Sequence, residues 1–148
     1  MDTAADSLIA LAREIATRAH AGQVDKSGAA YIGHPERVAA RLTSPEAQVV
    51  GLLHDVVEDT DVTVEELRES FPDDIVEAVV AISQLPNERR LDYYARVNAN
   101  TLAREVKLAD IADTMSPPRM TNLDRRTRER LLRTYREALD VLGSEPRE

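Results

Sequence analysis

The chain has 148 residues, a formal net charge of −8 at pH 7 and no cysteine. This length predicts one domain around a single core. The acidic composition argues against a nucleic-acid-binding protein, because phosphate binding needs a basic surface. The lack of cysteine excludes disulfides and thiolate metal sites. No apolar run approaches the ~20 residues of a membrane span and no signal-peptide pattern opens the chain, so we expect a soluble, cytoplasmic protein.

Helical periodicity runs through most of the sequence and predicts an all-α fold, a single-domain helical bundle. Apolar residues from Leu8 to Ala19 predict a first helix, and a glycine-rich loop follows over residues 21–33. β-branched residues never alternate with polar ones over four or more positions, so we expect no strand. Prolines and a capping box at Thr63 indicate where later helices begin. These helices are predicted over residues 34–42, 45–59, 64–71 and 72–83, with one broken or two consecutive helices over 91–113 and a last helix over 124–142.

The segment LLHDVVEDT, residues 52–60, places a histidine and three carboxylates directly after an apolar pair. A helix end with solvated carboxylates is the ordinary interpretation of such a pattern. The preceding VVGLL is typical of a buried helix, in which Gly51 indicates close backbone approach and unpaired carboxylates would be costly. A divalent cation would provide the missing partner. Imidazole and carboxylate ligands suit Mn²⁺, Fe²⁺, Co²⁺ or Zn²⁺ better than Ca²⁺.

Two further candidate ligands lie outside this segment: His34 at the end of the glycine-rich loop and Asp110 in VKLADIAD. In their order along the chain, AHAGQVDKSGAAYIGHP, LLHDVVEDT and VKLADIAD resemble motifs of the HD-domain metal-dependent phosphohydrolases. Within that family the sequence is similar to the Rel/SpoT-type alarmone 3′-pyrophosphohydrolases and their small stand-alone relatives. The resemblance runs from about Leu8 to Asp113, and we expect no synthetase half because no length remains for it.

The resemblance implies an HD-type helical fold and one bound metal ion, Mn²⁺ in the family. It also implies that Glu58 and Asp59 orient and deprotonate the attacking water, a role for which a carboxylate beside a metal is suited. The third histidine, His20, suits a structural or supporting role better than a ligand role. The metal ligands that the resemblance implies are His34, His54, Asp55 and Asp110.

Several residues around these motifs are candidates for substrate binding. Lys26 and Lys107 are the only lysines, and both stand at family positions where an ammonium can meet phosphate. The alternatives are an exposed loop residue for Lys26 and a helix-surface charge for Lys107. Tyr31 can either contact the nucleotide or anchor the loop.

Two positions depart from the family pattern. Asp25 stands where the family usually has an arginine that packs against guanine, and Thr114 stands where an amide usually contacts the nucleoside. An aspartate at position 25 lacks the guanidinium plane and repels phosphate, which weakens the case for guanine recognition.

The predicted function is hydrolysis of a nucleotide phosphate ester, with the 3′-pyrophosphate of guanosine tetra- or pentaphosphate as the first substrate. The alternatives are another nucleotide or dinucleotide phosphate, or a non-catalytic metal-stabilised nucleotide sensor. Glu58 and Asp59 favour an enzyme, because sensing needs no water activation. The expected partner is a small-molecule nucleotide, not nucleic acid or a membrane, and the oligomeric state stays open. We interpret the seven arginines from Arg119 to Arg136 as the solvated face of a terminal helix.

Overall fold

The computed structural model describes residues 4–25 and 28–143 of the chain. These residues form helices and no β-strand, which confirms the predicted all-α class. A lone antiparallel bridge between Val24 and Ala30 closes the glycine-rich loop. The helices are α1 (Ala4–Ala19), α2 (Gly33–Ala40), α3 (Pro45–Leu53), α4 (Val56–Asp59), α5 (Val64–Ser70), α6 (Asp73–Ile82), α7 (Arg90–Asn98), α8 (Thr101–Thr114), α9 (Pro117–Met120) and α10 (Arg125–Leu142).

Side-chain caps begin several of these helices, and the capping residue predicted at Thr63 is one of them. The Ser44 hydroxyl accepts a hydrogen bond from the backbone N–H of Ala47, and Thr63 accepts one from Glu66 at the start of α5. Asn100 caps α8 through the N–H of Ala103, which divides the stretch over residues 91–113 into two consecutive helices. Each cap satisfies an N–H group that has no partner within its helix.

Helix α3 lies at the centre of the core. It packs against α1, α2, α6 and α8, and six of its nine residues are buried. A Cβ atom added to Gly51 would lie 3.0 Å from Cδ1 of Leu42 and 3.3 Å from Cα of Ala39. Gly51 therefore allows the close approach of α2 and α3 that the sequence predicts, and this approach brings His34 and His54 into the same region.

The predicted helix over residues 45–59 is wrong in one respect, because it is interrupted at His54 and Asp55. Helix α3 ends at Leu53, and the short helix α4 begins at Val56. Nδ1 of His54 lies 2.6 Å from the carbonyl oxygen of Gly51, the atom that would accept the N–H of Asp55 in a continuous helix. The histidine side chain thus takes the place of a backbone donor and turns the chain at the two motif residues.

The last part of the chain differs from the prediction in a second way. The short helix α9 precedes α10, and Arg119 lies on α9 rather than on the terminal helix. Helix α10 packs against α7 and α8 and buries Ala138 and Leu142. Among the described residues, no helix is both long and apolar enough to cross a membrane.

Candidate metal centre and active-site cleft

Four side chains of metal-ligand type meet where α2, the α3–α4 turn and α8 come together. Nε2 of His34 lies 2.7 Å from Oδ1 of Asp110, and Nε2 of His54 lies 3.5 Å from the same oxygen. Oδ2 of Asp55 lies 3.0 Å from Nε2 of His54. Ligand-type atoms of His34, His54 and Asp110 are all within 4.8 Å of one another. The structure thus brings together the four residues that the sequence predicts to be metal ligands.

The orientation of the two imidazoles fits a divalent ion. His54 donates through Nδ1 to the Gly51 carbonyl, which leaves Nε2 directed toward Asp55 and Asp110. This Nε2 atom is buried and has no aligned hydrogen-bond partner within residues 4–25 and 28–143. His34 likewise directs Nε2 into the cluster, while Nδ1 contacts Asp113. A buried set of two imidazole nitrogens and two carboxylates is the donor chemistry that first-row divalent metals take.

Charges of opposite sign stabilise one another inside this cluster. Burial would raise the pKa of Asp110, but the Lys107 ammonium at 3.0 Å and the two histidines hold it well below its usual range. Burial would lower the pKa of His54, but Asp55 and Asp110 raise it well above its usual range. The pKa of Asp55 is lowered as well, because the effect of His54 outweighs that of burial. The lowered pKa values favour the ionised form of both carboxylates, which is the form that binds a cation.

Glu58 and Asp59 lie on α4 beside Asp55. The three side chains form a second group whose ligand-type atoms are within 4.8 Å of one another. Oε1 of Glu58 accepts a hydrogen bond of 2.6 Å from the backbone N–H of Gln84, in the loop after α6. Partial burial raises the pKa of both Glu58 and Asp59, and neighbouring carboxylates add to the shift. A raised pKa makes a carboxylate a better proton acceptor.

A cleft of about 360 Å³ opens over the cluster. One side is polar and contains the metal-ligand candidates His34, Asp55 and Asp110. An apolar wall of the cleft is formed by side chains from the glycine-rich loop and the C-terminal segment. This wall consists of Val24, Leu123, Leu131 and Tyr135.

The predicted substrate residues take different positions around this cleft. Tyr31 lines it and donates a hydrogen bond from its hydroxyl to Oδ2 of Asp55, which also anchors the loop. Lys107 lines it too, and its side chain is only 15% exposed, so it is not a helix-surface charge. Thr114 is part of the cleft lining. Lys26 lies outside the described residues.

Asp25 lines the cleft, but its carboxylate has partners that the sequence analysis missed. Oδ1 accepts the backbone N–H of Ala29 at 3.0 Å, and this bond helps to close the loop. Oδ2 lies 3.5 Å from Nη2 of Arg119. A guanidinium group is therefore present in the cleft, although it comes from α9 and not from position 25.

Three residues of this region were missed from the sequence: Arg37, Asp113 and Arg119. Asp113 contacts His34, and both arginines donate to Asp113. The interpretation of Arg119 as a solvated arginine is wrong, since its side chain is only 20% exposed. Spacing offered a signal for two of the three, because Arg37 follows His34 by three residues and Asp113 follows Asp110 by three. Residues at this spacing share a helix face.

The remaining histidine, His20, contacts residues of the glycine-rich loop next to the site. It is buried, its Nδ1 lies 2.9 Å from Oε1 of Gln23, and its ring packs against Tyr31 with centroids 4.8 Å apart. The Gln23 amide donates in turn to the backbone carbonyl of Asp59. His20 thus links the loop to α4, in line with the structural role expected for it.

The helical fold and the cluster of histidine and aspartate side chains are typical of a class of metal-binding helical domains. A comparison with known protein families identifies the class. The family described as "HD domain" matches residues 12–138. The chain therefore belongs to the HD-domain family.

Similar proteins include enzymes of alarmone metabolism. A guanosine-3′,5′-bis(diphosphate) 3′-pyrophosphohydrolase of Spiroplasma citri is 33% identical over 145 residues, which are 90% of this chain and 19% of the relative. A GTP pyrophosphokinase of Myxococcus xanthus is 30% identical over 138 residues, 84% of this chain and 18% of the relative. The chain thus spans about a fifth of the length of these relatives.

Among solved structures, a metazoan ortholog of SpoT that hydrolyses ppGpp has a similar fold. Its TM-score is 0.78 at 22% sequence identity, and the match covers 96% of this chain and 87% of that one. At this identity the similarity establishes the fold.

Proposed function

We propose that this protein is a metal-dependent phosphohydrolase that removes the 3′-pyrophosphate of guanosine tetra- or pentaphosphate. The observation that carries the proposal is the convergence of His34, His54, Asp55 and Asp110 beside Glu58 and Asp59. All of these residues except His54 line one cleft. The names of the relatives support the substrate, since several are alarmone 3′-pyrophosphohydrolases.

His34, His54, Asp55 and Asp110 would hold one divalent ion, and Mn²⁺ is the ion we propose. When bound, such an ion lowers the pKa of a coordinated water and polarises a phosphoryl oxygen. Mixed imidazole and carboxylate ligands suit Mn²⁺, although the same donors also accept Fe²⁺, Co²⁺ and Zn²⁺.

Glu58 and Asp59 act as the acid–base pair. A carboxylate accepts the proton of the attacking water, and its hydroxide equivalent adds to the phosphorus atom attached to the 3′ oxygen. The bond between that oxygen and phosphorus breaks, and the 3′ oxygen takes up a proton from the acid–base pair. The products are pyrophosphate and guanosine 5′-diphosphate or 5′-triphosphate. The raised pKa of Glu58 fits proton acceptance, and the Gln84 N–H fixes the position of its carboxylate.

The cleft has features that suit a phosphorylated nucleoside. Lys107 and Arg119 are the lysine and arginine side chains that line it among the described residues, and they face phosphate charge. In this proposal, Lys26 of the glycine-rich loop binds phosphate and Tyr31 contacts the nucleotide. Thr114 and Asp25 contact the nucleoside. The apolar wall of Val24, Leu123, Leu131 and Tyr135 provides a surface for a flat base.

A second substrate class is favoured by the position of Asp25. Its carboxylate lines the cleft near Arg119 and can accept a hydrogen bond from an exocyclic amine of a base. This feature supports another nucleotide or dinucleotide phosphate as substrate.

We propose a cytoplasmic location for either activity, on the basis of the cysteine-free composition.

The test is a substrate screen with defined metals. Metal-free protein reconstituted with Mn²⁺, Fe²⁺, Co²⁺ or Zn²⁺ is incubated with guanosine and adenosine nucleotides that carry 3′ phosphate or pyrophosphate, and released phosphate and pyrophosphate are measured. We expect fastest turnover of guanosine tetraphosphate with Mn²⁺, and loss of turnover in the matched variant Glu58→Gln. Metal binding and nucleotide binding without turnover of any substrate would instead indicate a sensor.

A further inference from the structure

His34 lies between two carboxylates of helix α8. Its Nε2 is 2.7 Å from Oδ1 of Asp110, inside the metal-ligand cluster, and its Nδ1 is 2.7 Å from Oδ2 of Asp113, on the other side of the ring. Asp113 does not line the cleft, and its side chain is only 2% exposed. The two carboxylates therefore have different surroundings, although both contact the same imidazole.

Only a nitrogen without a hydrogen can bind a metal ion, so the position of the single hydrogen of a neutral imidazole decides whether His34 can be a ligand. An ionised carboxylate can only accept hydrogen bonds. Asp110 and Asp113 both offer His34 an acceptor, but Asp110 belongs to the ligand set that would hold the ion. An ion bound at Nε2 would leave the single hydrogen on Nδ1, where Asp113 accepts it, which is the arrangement that metal-binding histidines need. Nη1 of Arg119 also lies 2.9 Å from Nδ1, but it donates to Asp113 at the shorter distance of 2.7 Å.

Two guanidinium groups keep Asp113 in the accepting state. Nε of Arg37 donates to Oδ1 at 3.0 Å, and Nη1 of Arg119 donates to Oδ2 at 2.7 Å. A buried carboxylate held by two guanidinium donors is directed toward Nδ1 of His34 and is well placed to accept its hydrogen.

The packing of α2 against α8 places His34 and Arg37 next to Asp110 and Asp113. His34 and Arg37 are three residues apart on α2, and Asp110 and Asp113 are three residues apart on α8. Each pair shares one face of its helix, and the two faces pack against each other. The packing that brings His34 to the cluster thus also brings Asp113 to the opposite side of its ring.

We propose that Asp113 is a positioning residue for the metal centre, which holds the Nδ1 hydrogen of His34 and so presents Nε2 to the ion. This role rests on the metal-dependent function proposed above. Asp113 does not line the cleft, and it would act on the ion only through His34. Loss of such a supporting partner typically weakens metal binding about 10- to 100-fold.

The test is metal affinity in Asp113→Asn, measured as Mn²⁺ binding to metal-free, full-length protein by competition with a chelator. Asparagine keeps the shape of aspartate but removes the charge, and its amide can donate to Nδ1 and favour the wrong tautomer. The matched control is Glu88→Gln. It also removes the charge of a shielded carboxylate paired with an arginine, Arg96, but Glu88 does not contact the cluster.

A second readout observes the hydrogen directly. With three histidines in the chain, imidazole resonances can be assigned by nuclear magnetic resonance in protein loaded with diamagnetic Zn²⁺. We expect a downfield Nδ1–H signal from His34 in the wild-type protein and its loss in Asp113→Asn. A residue with a merely structural role would not move this signal.

We expect Asp113→Asn to bind Mn²⁺ about 10- to 100-fold more weakly than wild type, and Glu88→Gln to match wild type. Equal affinity of Asp113→Asn and wild type, or an unchanged His34 signal, would overturn the inference alone. Wild-type protein that binds no divalent ion would overturn the proposed metal-dependent function and this inference with it.

If Asp113→Asn does not fold, Arg37→Gln takes its place. The Arg37 side chain is 44% exposed, so we expect a folded protein with a smaller loss of affinity, and no loss would count against the proposal.

Discussion

Glu58 of helix α4 accepts a hydrogen bond of 2.6 Å from the backbone N–H of Gln84, which lies in the loop after α6. A side chain on one motif is thus held by the backbone of a segment 26 residues further along the chain. Because a backbone donor cannot rotate away, the carboxylate keeps its position beside Asp55 and the cleft. This contact supports a role in proton transfer, which needs a fixed acceptor.

Glu58→Gln should separate catalysis from metal binding. Glutamine keeps an oxygen that can accept the Gln84 N–H, so we expect near-native stability and an unchanged metal content. It cannot accept the proton of water, and we expect kcat to fall about 10²-fold or more. The measurements are metal content and steady-state kinetics on the best substrate of the screen. Full activity would move the base role to Asp59 or away from both residues.

Asp55→Ala should lose both properties. It removes a carboxylate that lies 3.0 Å from Nε2 of His54 and accepts the Tyr31 hydroxyl, so we expect loss of bound metal together with loss of turnover. Metal analysis after gel filtration checks the first effect. If Asp55→Ala kept stoichiometric metal, Asp55 would not be a ligand.

Removal of the metal should lower stability as well as activity. An ion bound only by the folded state adds free energy of unfolding by mass action, about 2.7 kcal/mol at a free concentration 100 times Kd. It also neutralises the close Asp55 and Asp110 carboxylates. We therefore expect chelation to abolish hydrolysis and lower Tm, and Mn²⁺ to restore both. Full activity of metal-free protein in excess chelator would contradict the site.

Asp25→Asn should improve the binding of anionic substrates. Asparagine can still accept the Ala29 N–H, while Arg119 loses one of its two carboxylate partners and the cleft loses one negative charge. Two unit charges 4 Å apart in water interact by about 1 kcal/mol, so we expect KM to fall about fivefold with kcat unchanged. Glu65→Gln, an exposed residue of α5, makes the same change in net charge outside the cleft. Equal KM values for the two variants would show that Asp25 does not affect substrate binding.

The pH dependence of stability should reflect the ion pair between Glu88 and Arg96. Hydrogen bonds from Arg96, and one from the Leu85 N–H, lower the pKa of Glu88 below its ordinary value of 4.5. The folded state thus binds this proton less readily than the unfolded state, so the stabilisation is present above pH 4.5 and is lost as the pH falls through the folded pKa. We expect Glu88→Gln to lose up to about 1 kcal/mol of unfolding free energy at pH 7, because the pair lies near the solvent and glutamine can still accept hydrogen bonds.

The difference between Glu88→Gln and wild type should shrink when urea denaturation is repeated at pH values below 4.5. Glu65→Gln again serves as the control, because its side chain is exposed and should show no such change. A difference that stays constant with pH would mean that the ion pair does not contribute.

Much of the helical architecture could be predicted because its signals are local. The capping residue Thr63, together with prolines and helical periodicity, acts within a few residues of the helix ends. The cap at Asn100 acts as locally but was not predicted. The break at His54 could not be predicted, because it depends on a side chain that competes with the backbone for the Gly51 carbonyl. At the site, the resemblance to family motifs was enough to predict that His34, His54, Asp55 and Asp110 lie together.

The role of Arg119 could not be predicted for a different reason. It contacts Asp25 across 94 residues of sequence and stands close to a run of arginines, most of which are exposed on α10. Nothing in the local pattern distinguishes it from those neighbours. Only the packing of α9 beside the glycine-rich loop reveals that this arginine belongs to the cleft.

The spacing of the ligand candidates along the chain also affects when the site can form during synthesis. His34 and Asp110 meet across 76 residues, so a nascent chain has no complete donor set until α8 has left the ribosome and docked against α2. Contacts of such long range form late, because much of the chain must already be ordered. An ion that needs both His34 and Asp110 as ligands would therefore bind after α2 and α8 have packed together, and would stabilise that packing instead of initiating it.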